Sequence, residues 1–255
     1  MRALRVITSS AVLAAALLAA AFSGAQTGGA PAWPEVSLPP GAASYSMGEQ
    51  MSVDGMPMRA QGFELDMSPE RTAAWFRQHM PRPLMENHIG DKLVLGRASG
   101  TYYITVQLTG SGGRTQGLVA VSDVAAGLAQ RAASRAANAR VAARLPSGTQ
   151  VVTALNSTDA QRTANFLTLV NSYSEEVNRE RLKQMLREDG MELERESRAA
   201  EAGAKALAAL PAGAASGRAL FFKGRGREAI AVISRMPDSR VSIVLNTVTT
   251  METYP

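Results

Sequence analysis

The chain contains no cysteine. Disulfides, thiolate metal sites and the lipid-attachment cysteine of a bacterial lipoprotein are all excluded, so an exported form must be held together by an ordinary core. Aromatic residues are scarce, at 5% of the sequence, and alanine supplies much of the 45% apolar content. Alanine buries little area per residue. The only histidines, His79 and His88, have no cluster of Asp, Glu or His around them. They read as surface or helix-end residues, and no metal site is assigned. Gly-x-Ser-x-Gly is missing, the serines have no histidine partner in view, and no Walker loop occurs. No catalytic or cofactor-binding residue is therefore assigned.

The N-terminus carries a three-part pattern. Arg2 and Arg5 precede an uncharged apolar run from Ala11 to Phe22, and Ser23-Gly24-Ala25 supplies small residues where a signal peptidase reads. Residues 1–25 read as a secretory signal cut before Gln26. The run is too short and alanine-rich for a comfortable membrane span of roughly 20 strongly apolar residues. No later segment approaches that length, so no transmembrane segment is predicted in the mature chain. A cysteine-free exported chain of this composition suits the periplasm of a Gram-negative bacterium, or release from it. Of 27 basic residues, removal of Arg2 and Arg5 leaves 25 against 22 acids. That mild excess gives no argument for nucleic acid.

Residues 26–43 hold Pro31, Pro34, Pro39 and Pro40 among Gly and Ala and predict an extended lead-in, with order from Ser44. Beyond it an internal repeat is expected. In residues 44–123, Tyr45–Val53 and Met58–Leu65 read as strands around Asp54-Gly55, a hairpin signal. A helix then starts at the cap Ser68-Pro69, with Thr72, Trp75, Phe76 and Met80 on its apolar face. Strands follow at Lys92–Gly96, Tyr102–Leu108 and Gly117–Ser122. Residues 148–255 repeat the order. Strands at Gln150–Leu155 and Asn165–Val170 precede a helix from about Ser174 to Arg187, and strands at Ala219–Phe222, Ala229–Ser234 and Val241–Val248 follow it. The expected fold is thus α+β, with two related β-β-α-β-β-β modules, each a small antiparallel sheet with one helix packed on a face. Residues 124–147 read as an Ala/Arg-rich helical connector. Residues near 197–216 read as an Ala/Gly-rich insertion limited by Gly203 and Pro211.

A few groups carry possible chemistry. Met47, Met51, Met56, Met58, Met67, Met80 and Met85 concentrate in the first module. Thioethers suit Cu(I), but methionine also fills irregular gaps in an aromatic-poor core, and core or interface packing is the favoured reading. Glu192, Glu194 and Glu196 alternate as on an exposed strand face or irregular edge. Lys223-Gly224-Arg225-Gly226-Arg227 looks like a phosphate cradle, yet it leads into a strand, so a basic hairpin turn is favoured. In the connector, Arg131, Arg135, Arg140 and Arg144 occur with no acid among them. Their spacings of 4, 5 and 4 are expected to put them broadly on one helix side, as a solvated face or toward an acidic partner or anionic lipid.

Arg131, Arg135, Arg140, Arg144, Lys223, Arg225 and Arg227 are therefore the candidate interaction residues. The expected function is that of an exported, soluble, non-enzymatic binding or accessory protein. It would be an assembly or structural factor of a Gram-negative secretion, pilus or outer-membrane system whose partner is another envelope protein. The alternative is a periplasmic carrier of a small apolar ligand or copper.

Overall fold

The computed structural model describes residues 32–47, 50–159, 161–203 and 217–250. The residues read as a signal sequence, the first part of the expected lead-in and residues 204–216 of the expected Ala/Gly-rich insertion lie outside the described residues. Strands β1 (Ala43–Ser46), β2 (Gln50–Val53) and β3 (Met56–Leu65) precede helix α1 (Pro69–His79). Then come β4 (Met85–Ile89), β5 (Lys92–Ser99), β6 (Tyr102–Ser111) and β7 (Arg114–Asp123). Helix α2 (Val124–Ala143) leads to β8 (Gln150–Asp159), β9 (Arg162–Asn171), helix α3 (Glu175–Glu188) and β10 (Met191–Arg198). A 3-10 turn at Ala199–Glu201 follows, and β11 (Gly217–Gly224), β12 (Arg227–Arg235) and β13 (Val241–Thr250) complete the described chain.

These strands form one 13-stranded antiparallel sheet, ordered β10-β11-β12-β13-β9-β8-β2-β3-β7-β6-β5-β4, with β1 beside β3. The expectation of two small β-β-α-β-β-β sheets, each with one helix, is overturned. Two features account for the difference. Each half of the chain holds an extra strand after its helix, β4 and β10. And β2 is bonded to β8, from Gln50↔Thr158 to Val53↔Leu155, which continues the sheet where the expected modules would have ended.

By internal contacts the chain divides into two compact units. One holds the described residues 32–47 and 58–125; the other holds 50–57, 126–159, 161–203 and 217–250. In the first, Ser68 accepts a hydrogen bond from the Arg71 amide at 3.4 Å, Pro69 opens the helix and Glu70 sits in its first turn. The buried face of α1, with Ala73 and Phe76, meets Phe63, Leu95, Val106 and Leu108 from the sheet. Gly117 is required there, because a Cβ would lie 2.0 Å from the Phe63 ring. The lead-in is irregular but not loose. Trp33, Val36, Leu38 and Ala42 pack against this core, and Trp33 lies 5.1 Å from Tyr102 with the Arg59 guanidinium 5.0 Å from its ring centre.

In the second unit, Ser174 caps α3 by accepting from the Val177 amide at 3.2 Å. Leu182, Met185 and Leu186 bury against Leu169, Leu220, Ile233 and Ile243. The first turn of α3 is tied to the sheet by a reciprocal amide pair, Asn171 and Asn178, both buried. The opposite sheet face carries a smaller cluster of Ala199, Ala219, Val232 and Val244.

Candidate interaction surface

α2 is twenty residues long, about 30 Å at 1.5 Å per residue, and Gly127 is its one buried residue. Ten alanines and the absence of proline make it a helix by propensity alone. It touches the rest of its unit along a single line. A Cβ on Gly127 would meet Met56 Cγ at 2.9 Å, and one on Gly55 would meet Ser134 Cβ at 2.5 Å. Farther along, Val141 packs against the α3 core. Gly127, Ser134 and Val141 are seven residues apart, so one stripe faces inward and the opposite side is left to solvent. Asp54 and Gly55, both at positive φ (51° and 81°), form the primed hairpin turn that receives this stripe. The Asp54 carboxylate fixes the turn by accepting from the Ala154 amide at 2.8 Å.

Opposite the buried stripe lie Ala125, Ala129, Ala132, Ala136, Ala139 and Ala143, all exposed. Their spacing of 4-3-4-3-4 is that of the seam between paired helices. Around them the four arginines divide, which corrects the expectation of one common side. A helix turns about 100° per residue, so the five-residue step from Arg135 to Arg140 rotates it by about 140°. Arg131 and Arg135 fall on one flank, and Arg140 and Arg144 turn to the other. Arg144 is used inside the fold. It donates to both Asp189 carboxylate oxygens at 2.9 and 3.1 Å and to the Met185 carbonyl at 3.0 Å, fastening the end of α2 to the C-terminus of α3. Arg131, Arg135 and Arg140 are exposed and make no ion pair with another described residue.

The basic turn is structural in most of its parts. Gly224 is required because a Cβ would lie 2.5 Å from the Gly190 carbonyl oxygen, and the Gly226 carbonyl accepts from the Thr250 amide at 2.8 Å. Arg227 donates to the Asp189 carbonyl at 3.3 Å, and Arg225 is likewise engaged within the chain. Lys223 stands in the ladder between Glu192 and Glu228, which balance it. Of the seven candidates, Arg144 and Arg227 converge on Asp189, while Arg131, Arg135 and Arg140 have no ion-pair partner among the described residues.

No protein-family model, curated protein or solved structure matches the chain. The functional reading therefore rests on the residues themselves. The methionines scatter: Met51, Met58 and Met80 are buried, Met67 packs on the first core, and Met47 and Met85 are exposed. Among the described residues, no group of three or more His, Asp and Glu is placed to hold a metal ion. No helix among them is long and apolar enough to cross a membrane, which says nothing of strands.

The two end strands of the order, β4 and β10, are blunted, whereas β1 pairs with β3 alone among the described strands and keeps an exposed outer edge. On β4 the Asn87 side chain accepts from the His88 amide at 2.8 Å, occupying a donor that a new strand would need. On β10 the register shifts between Leu193 and Arg195, and Glu192 and Glu194 are exposed beside the shift. The alanine seam is what the sequence reading passed over. Its signal was the 4-3-4-3-4 recurrence of a residue too common in this chain to draw notice.

Proposed function

We propose that this chain is an exported accessory protein of a Gram-negative envelope system, and that it works by holding another envelope protein on the outward face of α2. The observation that carries the reading is a twenty-residue helix buried at one residue, with three exposed arginines along it that pair with no described residue. Such a face offers area and charge without any catalytic constellation. The blunted edges on β4 and β10 disfavour recruitment by strand addition at the two ends of the sheet order. The arginines and glutamates around α3 support its packing: Glu196 bonds Arg179 and Arg218, and Asp189 bonds Arg144. The carrier alternative gains nothing from the open groove of about 580 Å³ along α3. Glu176, Glu180, Arg181 and Lys183 line it, a poor match for an apolar ligand.

The test is affinity isolation of the full chain from detergent-treated envelopes, with the triple variant Arg131→Glu, Arg135→Glu, Arg140→Glu alongside. One protein partner retained in fixed ratio by the wild type and lost from the variant supports the reading. A monomer that carries copper or lipid instead would overturn it.

A further inference from the structure

We infer that the partner meets α2 through an acidic helix, laid along the seam of Ala125, Ala129, Ala132, Ala136, Ala139 and Ala143 with carboxylates beside Arg135 and Arg140. This inference rests on the binding role proposed above and names the chemistry of the partner.

The cations decide the sign of the partner. Arg131, Arg135 and Arg140 lie within ten residues, about 14 Å of helix, with no acid in α2 and no ion pair to a described residue. Guanidinium forks match carboxylates in a bidentate geometry. Their positions decide where those carboxylates fall. With the six alanines as the seam, Arg135 and Arg140 occupy the two positions that border it, where ion pairs between packed helices form.

The shape of the surface decides the type of partner. α2 is a convex rod without side walls, and six exposed alanines allow a second helix backbone to approach closely. An extended peptide would find neither a groove nor an available sheet edge here. A lipid surface is disfavoured because α2 exposes one large apolar side chain, Leu128, whereas an interfacial helix buries a full apolar face. A second copy of α2 is disfavoured by its own charges. Parallel pairing would set Arg135 of one copy against Arg140 of the other, and antiparallel pairing would set each arginine against its own equivalent. An acidic helix satisfies both the seam and the cations.

The test places a photo-crosslinking residue at Ala132, Ala136 or Tyr103 in the full chain, expressed in an envelope-bearing host, and maps the adducts by mass spectrometry. Tyr103 reports on the helix-free sheet face of the first unit. Ala132 and Ala136 are expected to capture one protein, through a segment with Asp or Glu at helical spacing. Charge reversal of Arg131, Arg135 and Arg140, with an unchanged melting temperature, is expected to lower the yield by roughly tenfold or more, as is high salt. Adducts from α2 to lipid, to another copy of the chain, or to a neutral or basic segment overturn the inference. Capture of a protein at Tyr103 and none at α2 overturns it together with the role of α2 proposed above, leaving only binding by another surface. Capture at none of the three positions overturns both.

Discussion

At the scale of single residues, a buried amide pair fixes where α3 meets the sheet. Asn171 and Asn178 exchange amide hydrogen bonds at 2.7 and 2.9 Å, and their remaining N–H groups reach Thr149 Oγ1 and the Ser174 carbonyl, each at 3.0 Å. Asn178→Ala would strand the Asn171 amide in the core, and is expected to cost about 1–3 kcal/mol in urea denaturation. Glu196 supplies a pH signature. Burial pushes its carboxyl up, but hydrogen bonds from Arg218, Arg179 and Lys183 outweigh this and hold it below the ordinary glutamate value. The folded chain therefore binds fewer protons here than the unfolded one. The stabilisation is present above the ordinary glutamate pKa and is lost as pH falls through the depressed value. Glu196→Gln should flatten the acid limb of a melting-temperature profile and leave its shape near neutrality unchanged. The seven basic candidates are separable by the same means. Arg144→Ala, which breaks a partly exposed pair, should lower stability by about 0.5–1 kcal/mol, whereas Arg131→Ala, Arg135→Ala and Arg140→Ala should leave the urea midpoint in place.

At the scale of elements, α2 is held by close approach rather than by a large apolar face. Gly55→Ala combines a left-handed backbone with a Cβ driven into Ser134, and should cost at least about 1–2 kcal/mol while loosening α2 in amide exchange. Much of the local architecture was legible in the sequence. Ser68-Pro69 and Ser174 mark helix starts because a capping hydroxyl is a local device, and Asp54-Gly55 marks a turn because few residues tolerate its φ angles. Of the two end strands, β10 was partly legible, because Glu192, Glu194 and Glu196 alternate as on an exposed strand face or edge. Met85-Glu86-Asn87-His88-Ile89 in β4, by contrast, lacks alternating apolar residues, since an edge strand has little to bury. The division of the arginines was missed because a five-residue step was treated like a four-residue one. The free face of α2 needed the structure, as alanine is equally at home buried or exposed.

At the scale of the whole molecule, one continuous sheet replaces two because β2 pairs with β8 about a hundred residues away. Nothing in Gln50-Met51-Ser52-Val53 names that partner; pairing of this kind is decided by competition among strands, not by local pattern. A sheet with two ends must also keep them from pairing with other molecules. Asn87→Val removes the acceptor that occupies the His88 amide, and should give concentration-dependent association in sedimentation velocity where the wild type gives none through β4. With β4 and β10 blunted and α1 and α3 packed on the sheet, α2 is the helix left to meet a partner, a role the sequence could suggest only through its arginines.

The most direct measurement is amide hydrogen exchange on the isolated complex and on the free chain, compared segment by segment. A binding role for α2 predicts that protection gained in the complex concentrates in Val124–Ala143, with β4, β10 and the basic turn at Lys223–Arg227 unchanged. Equal exchange of α2 in the free and bound states, or new protection confined to the sheet, would contradict it.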